Sequence, residues 1–168
     1  MIRCPRAWRL SLLLLVALAA AVPVTAETIL LTVRESVNDA PLAPPLPSRE
    51  GVAGSLFDGG FIVIDLPGDT PARDAAEMIG VARSAGADLL LDVRVRYSDR
   101  ALGGGVVRIS GSVAFTLTDA ASGVVRAKGE EAVTNANREK DVDRVILGQE
   151  IGRTLAGRIR EALKAVSR

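Results

Sequence analysis

The sequence predicts an α+β domain, a mixed sheet with an antiparallel meander and helices packed on it, in the order β-α-β-α-β-β-β-α. Three observations predict it. Between residues 87 and 134 apolar and polar side chains alternate. Leu89, Leu91, Val93, Val95 and Tyr97 oppose Asp92, Arg94 and Arg96; then Val107, Ile109, Val113, Phe115 and Leu117 oppose Arg108, Ser110, Ser112, Thr116 and Thr118. Successive strand side chains point to opposite faces, so this stretch makes a sheet with one dry and one wet face. Near the C terminus Val142, Val145, Ile146, Leu155, Ile159, Ala162, Leu163 and Val166 recur at helical spacing. Gly59-Gly60 and Gly86 stand where helical patterns give way to apolar runs, the place for a left-handed stop.

The chain has 168 residues, enough for one domain and a processed segment. Residues 1–9 carry Arg3, Arg6 and Arg9 without an acid, residues 10–22 form a 13-residue stretch that is apolar but for Ser11, and Pro23 breaks it. Val24 and Ala26 then occupy the −3 and −1 positions of a cut before Glu27. Basic start, short apolar middle and small-residue exit make a secretory signal peptide. The apolar stretch falls short of the roughly 20 residues that cross a bilayer, which disfavours an uncleaved anchor. Cys4, the only cysteine, precedes that stretch, whereas a lipoprotein's acylated cysteine follows it. The expected organisation is a signal peptide over 1–26, a first strand and proline-rich connector over 27–47, and the remainder of a single α+β domain over 48–168. The expected location is periplasmic or secreted.

Past Ala26 there is no cysteine, histidine or tryptophan, so no disulfide forms and zinc held by cysteine or histidine is excluded. Loss of the three leader arginines from 21 basic residues leaves 18 against 20 acidic ones, a net charge of −2. That balance gives no case for nucleic-acid binding.

Within residues 27–36 Ile29, Leu31 and Val33 alternate with Thr28, Thr32 and Arg34, and Leu30 breaks the polar side, as in a strand covered partly on both faces. Pro41, Pro44, Pro45 and Pro47 make residues 37–47 an extended connector. Ser48 is placed to cap a short helix over 49–58 that presents Val52, Leu56, Ala53 and Phe57 inward; Gly51 and Gly54 weaken it, so it needs tertiary support. Phe61-Ile62-Val63-Ile64-Asp65-Leu66 reads as a strand buried on both faces. Asp69-Thr70-Pro71 starts a helix that runs to about Ala85 with Ala75, Met78, Ile79 and Ala82 as its apolar stripe. Asp119-Ala120-Ala121-Ser122-Gly123 is a hairpin turn before a third, weaker strand over 124–134, and Asp141 caps the last helix. The expectation is that the helices cover a single side of the sheet and the other stays hydrated.

The stretch Ala85-Gly86-Ala87-Asp88-Leu89-Leu90-Leu91, and the strand 113–118 running into Asp119-Ala120-Ala121-Ser122-Gly123-Val124-Val125, resemble a group of bacterial envelope proteins. The group comprises the amino-terminal domain of TolB, curli-secretion proteins of the CsgG type, and outer-membrane activators of penicillin-binding proteins. The resemblance spans residues 48–166 and implies a periplasmic adaptor or assembly module. Two departures stand out. The chain lacks the lipoprotein cysteine of many members, and it lacks the membrane-spanning insertions of CsgG-type pores.

Candidate chemistry is sparse. Arg94, Arg96, Arg108, Arg126 and Lys128 share the wet face if the three strands are antiparallel neighbours, giving an electropositive patch for a carboxylate-rich partner, a glycan or an anionic headgroup. The competing reading is a solvated face balanced by Asp92 and Glu130. Gly103-Gly104-Gly105 joins two strands, precedes no helix and lacks a lysine, so it is a hairpin loop and not a phosphate cradle. Asp65, Asp69, Asp88 and Asp92 match no calcium-loop spacing. Ser110 and Ser112 have no histidine to activate them, and Lys128, Lys140 and Lys164 sit where solvated lysines belong. No catalytic residue, metal or cofactor is expected. The sequence therefore points to an exported, non-enzymatic adaptor that binds an envelope protein partner. The alternatives are a glycan hydrolase with paired carboxylates and a small-ligand-binding domain.

Overall fold

The computed structural model describes residues 26–43, 45–66, 74–104, 106–134 and 140–166. Residues 1–25 of the expected signal peptide, the helix start at Asp69-Thr70-Pro71, and Gly105 of the glycine loop lie outside the described residues. Six strands, β1 (Thr28–Val37), β2 (Ala40–Pro41), β3 (Ile62–Asp65), β4 (Leu89–Gly103), β5 (Val106–Asp119) and β6 (Val125–Thr134), form one sheet with helices α1 (Pro47–Asp58), α2 (Ala75–Ser84) and α3 (Lys140–Val166). The sheet is mixed. β3 and β4 both run parallel to β1, on opposite sides of it, while β4, β5 and β6 make the antiparallel meander.

Beyond the expected order there is one extra strand. Asn38 (φ 47°) and Asp39 (φ 66°) make a two-residue turn that pairs Ala40-Pro41 back onto β1. Two consecutive left-handed residues define the turn whose twist suits a hairpin, and Asn and Asp tolerate it best after glycine. The connector 37–47 is therefore not extended throughout.

Two apolar clusters lie on opposite faces of the sheet. Ile29, Leu31, Leu89, Leu91, Val93, Val95, Tyr97, Val113, Phe115 and Leu117 face Val52 and Leu56 of α1 and Leu147, Ile151, Leu155 and Ile159 of α3. On the other face Leu30 and Leu90 meet Ala82 of α2 with Ala87 and Ala120, flanked by Met78 and Ile79. Helices covering a single side is thus corrected: leucines at both strand positions demand cover, and α2 supplies a third layer over that end alone.

The helix ends differ in part from expectation. Ser48 does not cap α1. Leu46 is at the cap position with no side-chain bond, and Ser48 is fully buried. The first-turn N–H of Ser48 donates instead to the Glu35 carboxylate of β1 at 2.7 Å, and the Ser48 and Tyr97 hydroxyls are hydrogen-bonded to each other. Asp74 caps the described α2, accepting the Glu77 N–H at 2.7 Å. Asp141 lies inside α3, which begins at Lys140.

Both α1 and α2 end in the same motif. Phe61 and Gly60 donate back to the carbonyls of Leu56 and Phe57, and Ala87 and Gly86 to those of Ala82 and Arg83, with Gly60 at φ 88° and Gly86 at φ 71°. Each motif delivers the chain into a strand parallel to β1. Val63 and Ile64 of β3 each pack against one cluster. The expected double burial nevertheless fails at Ile62, 51% exposed, because β3 pairs with β1 alone and is an edge. Phe57, expected inward, is 71% exposed.

α1 and α3 cross in close contact. A Cβ on Gly51 would lie 2.6 Å from the Gln149 nitrogen, and one on Gly152 would lie 2.6 Å from the Ser55 Cβ. This is the tertiary support that α1 requires, and it is available only because those positions lack a side chain.

Candidate binding face

Past the end covered by α2, the α2 side of the sheet carries polar residues whose order follows from strand register. One row runs Thr32, Asp92, Thr116, Lys128; the next Arg34, Arg94, Ala114, Glu130; the next Ser36, Arg96, Ser112, Ala132. Further along β4, Arg100 lies in register opposite Arg108. Alternation keeps Arg34, Arg94, Arg96, Arg100 and Lys128 on this face, while the side chain of Arg108 lies outside the described residues.

Asp92 is the hub of the face. Arg34 donates through one guanidinium nitrogen to both its oxygens at 2.7 and 2.8 Å, Arg94 donates at 3.2 Å, and the Thr32 hydroxyl at 3.0 Å. Both arginines remain about half exposed, so these pairs contribute under about 1 kcal/mol and leave the cations accessible. Arg96 and Lys128 are exposed and have no ion pair among the described residues. Arg126 has a different setting. It is the extra residue where the β5–β6 register shifts, it is half-buried, and it is ion-paired with Asp119. The structure brings Arg94, Arg96 and Lys128 onto one surface and puts Arg126 at the sheet end.

Sequence reading did not single out Arg34 and Arg100. Arg34 showed as the polar member of its alternation, but only the parallel pairing of β1 with β4 sets it beside Arg94. Arg100 continues the even-numbered run of Arg94 and Arg96, a signal that was present.

Of the carboxylates considered for catalysis, Asp65, Asp88 and Asp92 are engaged in local structure. Asp65 accepts Arg49 Nε at 2.8 Å. Asp88 accepts the Thr28 N–H at 2.8 Å while its own N–H donates to the Thr28 carbonyl, clamping the start of β4 to β1. Asp69 lies outside the described residues. Asp119 accepts the Ser122 N–H at 2.7 Å, the Ser122 hydroxyl at 2.8 Å and Arg126, which hold its pKa down at about 2. Glu27 moves the other way. Burial raises its pKa, Arg126 opposes the rise, and Asp88 adds to it. Among the described residues no group of three histidine, cysteine, aspartate or glutamate side chains is arranged to hold a metal. No described helix is long and apolar enough to cross a membrane.

Among the described residues open grooves lie on two sides of α3. One of about 490 Å³ lies against α1 and is lined by Gly54, Ser55, Asp58, Gln149, Arg153 and Arg160; the other, about 380 Å³, lies against β6 between Phe115, Glu131, Arg158 and Glu161. Both are lined by mixed charges, unlike the apolar cavity that suits a small ligand.

No protein-family model matches the chain, and no curated protein is similar to it in sequence. Solved structures do share the fold. A PelC dodecamer subunit from Paraburkholderia phytofirmans is 18% identical with a TM-score of 0.55, over 78% of this chain and 88% of that one. The hypothetical protein CT253 from Chlamydia trachomatis is 14% identical with a TM-score of 0.55, over 83% and 98%. Protein XCC0632 from Xanthomonas campestris is 14% identical with a TM-score of 0.54, over 86% and 89%. At these identities what is common is the architecture, an α+β domain of a kind found in several bacterial proteins. The narrower grouping with TolB, CsgG-type proteins and penicillin-binding-protein activators is not established by them.

Proposed function

We propose that the chain is an exported, non-enzymatic binding domain of the bacterial cell envelope that grips an acidic protein partner with the uncovered face of β1, β4 and β5. The observation that carries this reading is the adjacency of Arg34, Arg94 and Arg96, exposed on the part of the sheet face that α2 leaves uncovered, with Asp92 and Glu130 as the acids beside them. Charged groups spaced on a rigid sheet steer and orient a complementary partner at little entropic cost. The leader-like N terminus supports export. The engagement of Asp65, Asp88 and Asp92 in structural hydrogen bonds favours binding over the paired-carboxylate hydrolase.

The test is in-cell crosslinking from a photoreactive residue at Ser112, the β5 neighbour of Arg96. Reversal of charge at Arg94, Arg96 and Arg108 together should abolish the crosslinked partner and leave the melting temperature unchanged. Undiminished capture by that triple variant overturns the reading.

A further inference from the structure

Strand β6 is the long edge of the sheet. It runs from Val125 to Thr134 and, among the described residues, pairs with β5 alone. Its outer backbone N–H and C=O groups therefore meet no other strand. Such a row is a template for another strand, and an edge that has to stay single is kept apart by proline or by repelling charge. β6 has no proline, and its charges change sign about a glycine, in the order Lys128, Gly129, Glu130. The groove of about 380 Å³ beside α3 is lined by Lys128 and Glu130 of one sheet face and by Ala127, Gly129 and Glu131 of the other, so it reaches around this edge.

Lys128 and Glu130 are both exposed, and neither has an ion pair among the described residues. Their register partners on β5, Thr116 and Ala114, are uncharged. We infer that β6 pairs antiparallel with β6 of a second copy, about a two-fold axis through Gly129 and perpendicular to the sheet. In that register Lys128 opposes Glu130 of the second copy, twice over, and Gly129 opposes its own counterpart. An axis moved by one residue would set Lys128 against Lys128, or Glu130 against Glu130. The register is thus chosen by charge. Gly129 is required by the fold itself, since a Cβ there would lie 2.8 Å from Phe115 Cε1. The axis consequently carries no side chain to hinder the meeting strands. Rotation about the sheet normal keeps both copies' Arg34, Arg94 and Arg96 on one side of a continuous sheet. This goes beyond binding by a single copy, because it supplies two basic faces in fixed relation.

The test is sedimentation equilibrium of the full chain, produced with its own leader and purified as the cell processes it. A monomer–dimer equilibrium that weakens with salt is expected. Lys128→Glu and Glu130→Lys should each raise the dimer dissociation constant at least about tenfold, since each opposes like charges at two places. The double variant Lys128→Glu/Glu130→Lys restores opposite charges across the axis and should return the constant to within about threefold of the parent. Melting temperatures of dilute samples should be unchanged, because both side chains are exposed. A monomer at every concentration, an association that the single reversals leave intact, or a double variant that stays monomeric overturns the inference. None of those results bears on capture of a protein partner through Arg94 and Arg96.

Discussion

The carboxylate of Glu35, in strand β1, accepts the backbone N–H of Ser48 in the first turn of α1 at 2.7 Å. A helix leaves its first N–H groups unsatisfied, and here a buried side chain thirteen residues upstream meets one of them in place of a local cap. The bond ties α1 to the central strand and fixes its entry angle over the core.

Glu35→Ala should therefore lower stability by about 2–3 kcal/mol, the range for a lost charge-assisted bond. Glu35→Gln, whose amide oxygen still accepts, should recover most of it. Urea midpoints for the two variants decide the matter, and equal losses would point to charge alone.

The glycines of α1 predict opposite signs. Gly51→Ala should destabilise by about 1–3 kcal/mol, because its Cβ meets α3 backbone and the helices must separate. Gly54→Ala should stabilise by up to about 1 kcal/mol, because nothing lies within 4 Å of its Cβ and alanine favours helix. Denaturant unfolding of both checks the crossing directly.

Asp119 predicts an acid-limb effect. Its folded pKa lies at about 2, below the ordinary 3.8, so its contribution is complete above 3.8 and lost as pH falls through about 2. The melting-temperature gap between the parent and Asp119→Asn should be constant from pH 5 to 7 and close across that acid window. A gap that persists at pH 2 would contradict the assignment.

Glu27 predicts the reverse. Its pKa is raised above 4.5, chiefly by burial, so ionisation opposes folding and stability falls as pH rises beyond 4.5. Glu27→Gln should raise the melting temperature at pH 7 and lose that advantage below pH 4. No gain at pH 7 would mean that Arg126 offsets the burial.

The meander was legible because its period of two is written by side chains that touch only one solvent and one core. Gly86 and Gly60 were legible for a similar reason, since a left-handed stop depends on the residue itself. What depended on partners was not. Ser48 has the chemistry of a cap, but its burial against Tyr97 and Glu35 is set by where β1 lies. The run from Phe61 to Ile64 has interior composition, and only its pairing with β1 alone makes it an edge. On the site, the Arg94–Arg96 alternation was readable within one strand, while the Arg34–Asp92 pair joins residues 58 apart through a parallel ladder that no local pattern encodes.

Strand β1 leaves the ribosome before either of its parallel neighbours exists. Ile29 must wait for Val63 and then for Leu89, the latter sixty residues later in the chain. At about 5–20 residues per second that delay is roughly 3–12 seconds. During it Ile29-Leu30-Leu31 offers two unsatisfied edges and an adhesive surface. An incomplete chain is then most open to pairing with another copy at its first strand.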